Sequence, residues 1–270
     1  MKLRAPATPL ITVDPYFSIW SFHDTLNSGE TVHWTGKPNA ITGILSVGDE
    51  DYLFMGHNDD MEKMAQTSCE IDALSTIYTF ETGSVELKLT FTSPLLIDDL
   101  KIMARPVSYL KAEVRGLDRQ LRKVRIRLRV EDDVCLDKRR EHETEGEMVH
   151  AGDDIACARM GNACQKVLNK AGDDVRIDWG YFYLATRHGS VRVVKNGTAT
   201  QLEADAELDT DSGNQALFAF AYDDLFSLQY FGDNLKGYWT KESDDIRVII
   251  RRAFDEYDEI SGRCSGFSAE

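Results

Sequence analysis

The protein has 270 residues, of which 46 are Asp or Glu and 31 are Lys or Arg, so its formal net charge at pH 7 is −15. Hydrophobic residues make up 42% and aromatic residues 10% of the chain, which excludes a disordered chain and allows a large core. The acidic balance argues against nucleic acid and against an anionic membrane surface as partners, because basic surfaces bind phosphate groups. No run of 18 apolar residues occurs, so no transmembrane helix is predicted.

The cysteines and the first residues bear on the compartment. The cysteines are odd in number and irregularly spaced, which favours buried thiols over disulfides. The cysteines are Cys69, Cys135, Cys157, Cys164 and Cys264. Residues 1–11 lack the apolar segment of an intact signal peptide. Both observations favour a reducing, cytoplasmic compartment.

Most of the chain shows the period of two that is typical of strands. Apolar and charged residues alternate along 85–91 and 124–130, so one face of each strand is buried and the other is solvated. Half-solvated strands of this kind are typical of antiparallel sheets. Further strands are predicted at 16–22, 41–47, 52–55, 73–80, 101–114, 155–160, 175–179 and 215–222, and a hairpin joins 181–186 to 191–195. We therefore predict an all-β fold, a large antiparallel β-sandwich, over residues 1–240.

The pattern changes to a helical period near the C-terminus. A single stripe of apolar residues is formed by Ile246, Ile249, Ile250, Ala253, Tyr257 and Ile260. Ser243 is the predicted N-cap and Gly262 the predicted end of this amphipathic helix. Residues 241–270 are thus predicted to be a helix and a linker that lead toward a further helical domain.

No motif in the sequence predicts catalysis by this chain. The segment 262–266 places Cys264 in a Gly-x-nucleophile-x-Gly frame but lacks the strand before it and the helix after it. The histidines form no His-Glu-x-x-His pattern, and the acidic pairs are explained by solvated turns. The charged stretch 131–147 is predicted to be an exposed loop or an edge hairpin. We predict no catalytic residue, no metal and no cofactor.

Aromatic clusters provide the candidate binding residues. One cluster joins 15–20 to 33–36, and the second lies at 178–183. If exposed, such side chains could stack on a sugar or dock a partner domain; if buried, they belong to the core. The candidates for binding or for a domain interface are His33, Trp34, Trp179 and Tyr181. A third cluster, at 230–239, is predicted to seat the C-terminal helix on the sandwich.

The ordered set of these motifs resembles the glutaminase A-type family of fungi and bacteria. The segments that carry the resemblance are 3–6, 9–11, 14–21, 33–36, 54–56, 178–181 and 230–239. Together they span nearly the whole chain in the right order. The resemblance implies an N-terminal β-sandwich followed by an (α/α)-barrel domain, in a protein that hydrolyses L-glutamine to L-glutamate and ammonia.

That resemblance also implies a division of roles. The active site is expected in the C-terminal helical domain of the same protein, with sandwich loops at its rim. The chain alone is then expected to be non-catalytic, with that domain as its partner and the substrate reached only through it. Family members are often secreted, which leaves the compartment open.

Two alternatives stay open at this point. A sandwich joined to an (α/α)-barrel also serves glycoside hydrolases, so the chain could be a carbohydrate-associated module. It could also be a complete enzyme, which would require a pocket with convergent carboxylates and a histidine.

Overall fold

The computed structural model describes residues 5–118, 120–210 and 214–269. In chain order the strands are β1 (Thr8–Thr12), β2 (Ser18–Ser21), β3 (Val32–His33), β4 (Ile41–Val47), β5 (Glu50–Met55), β6 (Glu62–Lys63), β7 (Ala65–Ile71), β8 (Ser75–Glu81), β9 (Val85–Thr92), β10 (Val107–Gly116), β11 (Lys123–Glu131), β12 (Thr144–His150), β13 (Ala156–Asn162), β14 (Tyr181–Thr186), β15 (Gly189–Asn196), β16 (Ala199–Asp209), β17 (Gln215–Asp223), β18 (Leu228–Tyr230) and β19 (Asp233–Leu235). The helices are α1 (Leu100–Met103), α2 (Ile246–Asp255) and α3 (Tyr257–Ala269).

Two large sheets form the sandwich. One has eight antiparallel strands in the order β12-β13-β14-β17-β10-β9-β8-β7, and the other has six in the order β15-β16-β11-β4-β5-β6. The six-stranded sheet is antiparallel except for the short parallel pair β5–β6. This architecture confirms the predicted all-β sandwich. Within the described residues, no helix is long and apolar enough to cross a membrane.

The core between the sheets follows from the alternation in the sequence. Leu87 and Leu89 of β9 and Ile126 and Leu128 of β11 are fully buried in one cluster. The charged residues between them point outward, where arginines of β11 pair with carboxylates of β16. The two faces of each strand therefore take the environments that the sequence pattern predicts.

A second core lies between the eight-stranded sheet and the C-terminal helices. Tyr109 and Leu217 of the sheet pack with the helical residues. The predicted helical stripe is confirmed, since every member is buried: Ile246, Ile249, Ile250, Ala253, Tyr257 and Ile260. The helices thus cover the outer face of the sheet.

The single predicted helix is two helices in the structure, because α2 ends at Asp255 and α3 begins at Tyr257. The predicted ends are also wrong. Asp245, not Ser243, is the N-cap of α2, and its side chain accepts from the backbone N–H of Arg247. The helical segment passes through Gly262 and continues to Ala269. A glycine costs about 1 kcal/mol in a helix interior, and the burial of Ile260 and Cys264 on either side of it offsets that cost. The division of the chain at residue 240 stays a prediction.

The predicted 181–195 hairpin is also wrong, because its two strands belong to different sheets. β14 pairs with β13 and β17, whereas β15 pairs with β16. The segment between them therefore crosses from one sheet to the other. A Cβ at Gly189 would lie 1.7 Å from the carbonyl oxygen of Asp205, so only glycine allows β15 to begin this close to β16.

Three further segments differ from the sequence prediction. The predicted strand at 101–114 begins instead with α1, whose N-cap Asp99 accepts from the N–H groups of Lys101 and Ile102. The predicted strand at 175–179 is irregular. In the charged stretch, β12 is an edge strand as predicted, but Asp132, Asp133 and Asp137 are buried. Hydrogen bonds and ion pairs to these carboxylates make their burial possible.

Candidate functional surface at one end of the sandwich

Four irregular segments meet at one end of the sandwich, and we call them the loop end: 13–17, 33–38, 174–180 and 223–227. The backbone N–H of Ile177 donates to the carbonyl of Tyr16 at 3.0 Å. The Lys37 ammonium lies 2.8 Å from the Asp174 carboxylate. The indole N–H of Trp179 donates to the carbonyl of Phe226 at 3.4 Å. Contacts between distant parts of the chain therefore fix these loops relative to one another.

Two of the predicted residues, His33 and Trp34, are adjacent in the loop end but differ in exposure. His33 is fully buried, and Trp34 is 44% exposed. Their rings lie 5.6 Å apart. Both hydrogen-bond to the carbonyl of Pro15, at 3.1 Å from His33 Nε2 and 2.7 Å from Trp34 Nε1. His33 thus supports the loop from inside, while Trp34 presents an aromatic surface to solvent.

The environment of His33 holds its imidazole neutral. Burial lowers the pKa of His33 to about 4, and the positive charges of Arg176 and Lys37 act in the same direction. The hydrogen bond to Pro15 and the carboxylate of Asp174 oppose that decrease in the pKa. Because a carbonyl oxygen can only accept, Nε2 carries the proton, and Nδ1 accepts from Thr35, whose Oγ1 lies 3.0 Å away.

We expect His33 to make the protein less stable in mild acid. Its pKa is lower in the folded state than in the unfolded state, so its contribution is complete above pH 6.5 and is lost as the pH falls toward 4. Between pH 7 and pH 5 the loss amounts to about 2 kcal/mol. The measurement is urea unfolding at both pH values for the wild type and for His33→Gln.

The comparison with the variant is necessary because another group acts in the opposite direction. Burial and the charges of Asp14 and Asp223 raise the pKa of Asp224 to about 6, so its contribution to stability falls as the pH rises through the same range. Asp224 is present in both proteins, and the difference between them isolates His33. Equal changes of stability with pH in wild type and variant would contradict the prediction.

The other two predicted residues, Trp179 and Tyr181, lie on opposite faces of the sheet. Trp179 is 3% exposed and belongs to the core between the sheets. Tyr181 packs against the second core and lies under the guanidinium of Arg159, 4.2 Å from its ring centre. The structure therefore brings His33, Trp34 and Trp179 to the loop end and places Tyr181 on the helix side. Their role in binding stays a prediction.

Gly180 separates these two aromatic residues for a steric reason. Its φ of +77° lies in the left-handed region, and a Cβ there would be 2.1 Å from the carbonyl oxygen of Asp223. Gly180 N–H also donates to the side chain of Gln165 at 2.6 Å. The Trp-Gly-Tyr sequence thus marks the point at which an irregular segment enters β14.

Charged residues that sequence reasoning missed hold the long 163–180 segment. The Lys170 ammonium lies 2.6 Å from Asp178, 3.1 Å from Asp137 and 3.6 Å from Glu141. The buried guanidinium of Arg176 donates to the carbonyl of Pro38 at 2.9 Å. In an acidic sequence, isolated basic residues within a long loop are a feature from which such a network of ion pairs could have been predicted.

Beside the loop end lies a cavity of about 350 Å³, which we call the charged cavity. The charged residues that line it are Glu30, Arg129, Glu131, Asp132, Asp133, Arg139 and Arg140. Arg139 binds Asp133 at 2.7 Å and Glu30 at 3.0 Å. This composition suits the binding of a charged molecule. Among the described residues, no group of three or more His, Cys, Asp or Glu residues could hold a metal ion.

An aromatic hairpin precedes the C-terminal helices. It consists of β18, β19 and the turn at Phe231 and Gly232, both of which have positive φ. The rings of Tyr230 and Phe231 lie 4.5 Å apart, and the side chains are 61% and 92% exposed. Only part of this third aromatic cluster seats the helices as predicted, since Trp239 is buried against them whereas Tyr230 and Phe231 face solvent.

Comparisons with known proteins give matches along most of the chain. A family model described as a domain of unknown function (DUF4964) matches residues 1–66, and a second (DUF5127) matches residues 74–212. Glutaminase A of Aspergillus oryzae is 32% identical over 123 residues, which are 43% of this chain and 18% of that protein. The matched part of this chain therefore spans less than a fifth of the length of that curated relative.

A solved structure extends the comparison to the fold. It is described as a candidate kojibiose phosphorylase from the human microbiome and superposes with a TM-score of 0.53. The match covers 97% of this chain and 35% of that chain at 9% identity, so it bears on the fold alone. The DUF5127 model covers just over half of the 270 residues, and the chain therefore belongs to the family of that domain of unknown function.

Proposed function

We propose that this chain is the non-catalytic N-terminal β-sandwich domain of a glutaminase-like amidohydrolase. The observation that carries the proposal is the 32% identity to Glutaminase A of Aspergillus oryzae over 123 residues. In this proposal residues 1–240 form the sandwich, and residues 241–270 connect it to a helical domain that holds the active site. The whole protein would release ammonia from L-glutamine.

The exposed aromatic residues support a role in docking that domain. Trp34 at the loop end is 44% exposed, and Tyr230 and Phe231 at the hairpin tip are 61% and 92% exposed. The adjacent rings at the hairpin tip form an exposed apolar patch, and such patches mark interaction sites on soluble proteins. In our proposal they contact the helical domain, so that sandwich loops lie at the rim of its active site.

The state of the cysteines agrees with a non-catalytic role. Cys264, in the Gly-x-Cys-x-Gly frame, is 2% exposed and sits within a helix. Burial raises the pKa of its thiol to about 11, and burial raises the pKa of Cys157 to about 12. A nucleophilic cysteine needs an accessible thiolate, so these two thiols are not candidates for attack on a carboxamide.

A carbohydrate-associated module is the second candidate. It is supported by the fold shared with the candidate kojibiose phosphorylase and by the exposed rings of Trp34 and Phe231, since aromatic faces can stack on sugars. The burial of Trp179 counts against a sugar platform that includes it.

Ammonia release from L-glutamine tests the leading proposal. The chain is assayed alone and together with the sequence that follows it in its gene. We expect activity from the extended protein and none from the 270 residues alone.

A further inference from the structure

The charged cavity is not used by the docking role proposed above, and most of its charges are already paired. Arg129 binds Glu203 at 2.8 Å. Arg139 bridges Asp133 and Glu30. Asp132 accepts from the Thr144 hydroxyl at 2.7 Å. These wall residues are thus already paired or hydrogen-bonded within the protein.

Three charged groups in the wall have no ionic partner among the described residues: Arg140, Glu131 and Asp132. Asp132 is buried and accepts from the Thr144 hydroxyl and the Thr200 N–H, which leaves Arg140 and Glu131 as the pair of opposite charge. Arg140 is exposed and makes no hydrogen bond or ion pair with them. Glu131 is half-buried, and one of its carboxylate oxygens accepts from the Gln201 amide, but none of the cations in the described part of the chain forms an ion pair with it. Burial and the neighbouring Asp133 and Asp132 carboxylates raise the pKa of Glu131, while the Gln201 hydrogen bond and the charge of Arg129 oppose that increase.

The composition of the wall selects the class of ligand. Among the described residues, neither Trp, Tyr nor Phe lines the cavity, so this wall offers no ring surface on which a sugar could stack. A ligand with a single charge would leave either Arg140 or Glu131 unpaired. A ligand with a carboxylate and an ammonium group pairs both, and charge-assisted hydrogen bonds of this kind are the strong ones.

The volume sets the size of the ligand. At about 350 Å³ the cavity lies near the lower limit of the range for small-molecule sites. It therefore has room for a molecule of amino-acid size.

We propose that the charged cavity binds a small zwitterionic α-amino acid, with the ligand carboxylate on Arg140 and the ligand ammonium on Glu131. The ligand class follows from the wall of the cavity. The choice of L-glutamine as the first probe rests on the proposed function. Its binding would place an amino-acid site on the sandwich domain, beside the loop end and separate from the catalytic domain.

Calorimetric titration of the 270-residue chain with L-glutamine tests this proposal. We expect saturable binding with a Kd on the order of millimolar or tighter. L-Glutaminamide, which lacks the carboxylate, and 4-carbamoylbutanoate, which lacks the amine, are matched probes and should bind at least about tenfold more weakly. Because L-glutamate and glycine share the zwitterion, weak binding of L-glutamine with tighter binding of either supports the same site.

The variants locate the binding. Arg140→Gln changes an exposed side chain without an internal partner and should weaken binding at least about tenfold while leaving stability unchanged. Glu131→Gln should weaken it comparably. Arg125→Gln is the control, since that arginine is exposed and pairs with Glu207 outside the cavity.

Three outcomes would overturn the proposal. The first is the absence of saturable heat with L-glutamine, L-glutamate and glycine. The second is equal affinity of the wild type and of Arg140→Gln for the amino acid. The third is equal affinity of the wild type for L-glutamine and for 4-carbamoylbutanoate, the probe without an amine. The ammonia assay is independent of these results. Amino-acid binding without ammonia release would reject the glutaminase proposal alone, and ammonia release without binding would reject the cavity proposal alone.

Discussion

Replacement of Trp179 by Ala is expected to lower the free energy of unfolding by about 3–5 kcal/mol. Trp179 is 3% exposed in the core between the sheets. Its backbone carbonyl accepts from the hydroxyl of buried Tyr222 at 2.8 Å, and its indole N–H reaches Phe226. The substitution would leave a large cavity in the core and free the loop that follows β17.

Trp34→Ala is the matched control, because Trp34 has the same side chain in an exposed position. It is 44% exposed, and its hydrogen bond to Pro15 can be replaced by water. We expect a loss of about 1 kcal/mol or less. Urea unfolding of the two variants measures the difference, and a comparable loss in both would show that exposure does not separate their roles.

Replacement of Arg105 by Met is expected to cost about 2–3 kcal/mol and to loosen the C-terminal helices. The Arg105 side chain is 2% exposed and binds Glu242, before α2, at 3.2 Å and Glu256, after it, at 2.8 Å. It therefore ties both ends of α2 to the sandwich. The expected loss lies below the usual range for a broken buried pair, because the Glu256 side chain is 40% exposed and can be rehydrated.

Hydrogen exchange of the α2 amides, together with urea unfolding, measures the effect of Arg105→Met. The control is Arg247→Met, since the side chain of Arg247 is 52% exposed and pairs with Asp245 within the same helix start. An exposed pair of this kind contributes less than about 1 kcal/mol. If the backbone amides of Ile249 and Ile250 exchanged no faster in Arg105→Met than in the wild type, the result would contradict the claim that Arg105 holds α2 on the sandwich.

The elements that could be predicted from the sequence are those with a local period. The alternation in β9 and β11 and the apolar stripe of α2 and α3 depend on neighbours along the chain, and burial in the structure follows both patterns. The residue types that mark helix ends predicted the structure less well than these periodic patterns did. Ser243 and Gly262 have the residue types of helix ends, but Asp245 makes the capping hydrogen bond and packing carries α3 through the glycine.

The candidate surface was only partly predictable, because contacts between distant segments assemble it. Lys37 forms an ion pair with Asp174, and the 16–17 loop is hydrogen-bonded to Ile177. Neither contact produces a periodic pattern in the sequence. The aromatic motifs pointed to the loop end, but they did not show that Trp179 is buried while Trp34 is exposed. The charged cavity was not predicted, because the sequence of its acidic segment is typical of a solvated loop.

The prediction that β14 and β15 pair in one hairpin was wrong for a related reason. Two strand-like segments around a short turn predict a hairpin locally, and the choice between pairing and crossing depends on which strands are already in place. Here β13 and β17 occupy both edges of β14. Topology thus decided what the local sequence left open.

Ammonia release from L-glutamine, measured side by side for the 270-residue chain and for the chain extended by the sequence that follows it, tests the central claim most directly. We predict release by the extended protein and none by the chain alone. Release by both would place a catalytic site within the sandwich and contradict the non-catalytic assignment. Release by neither would reject glutamine as the substrate and favour the carbohydrate-associated alternative.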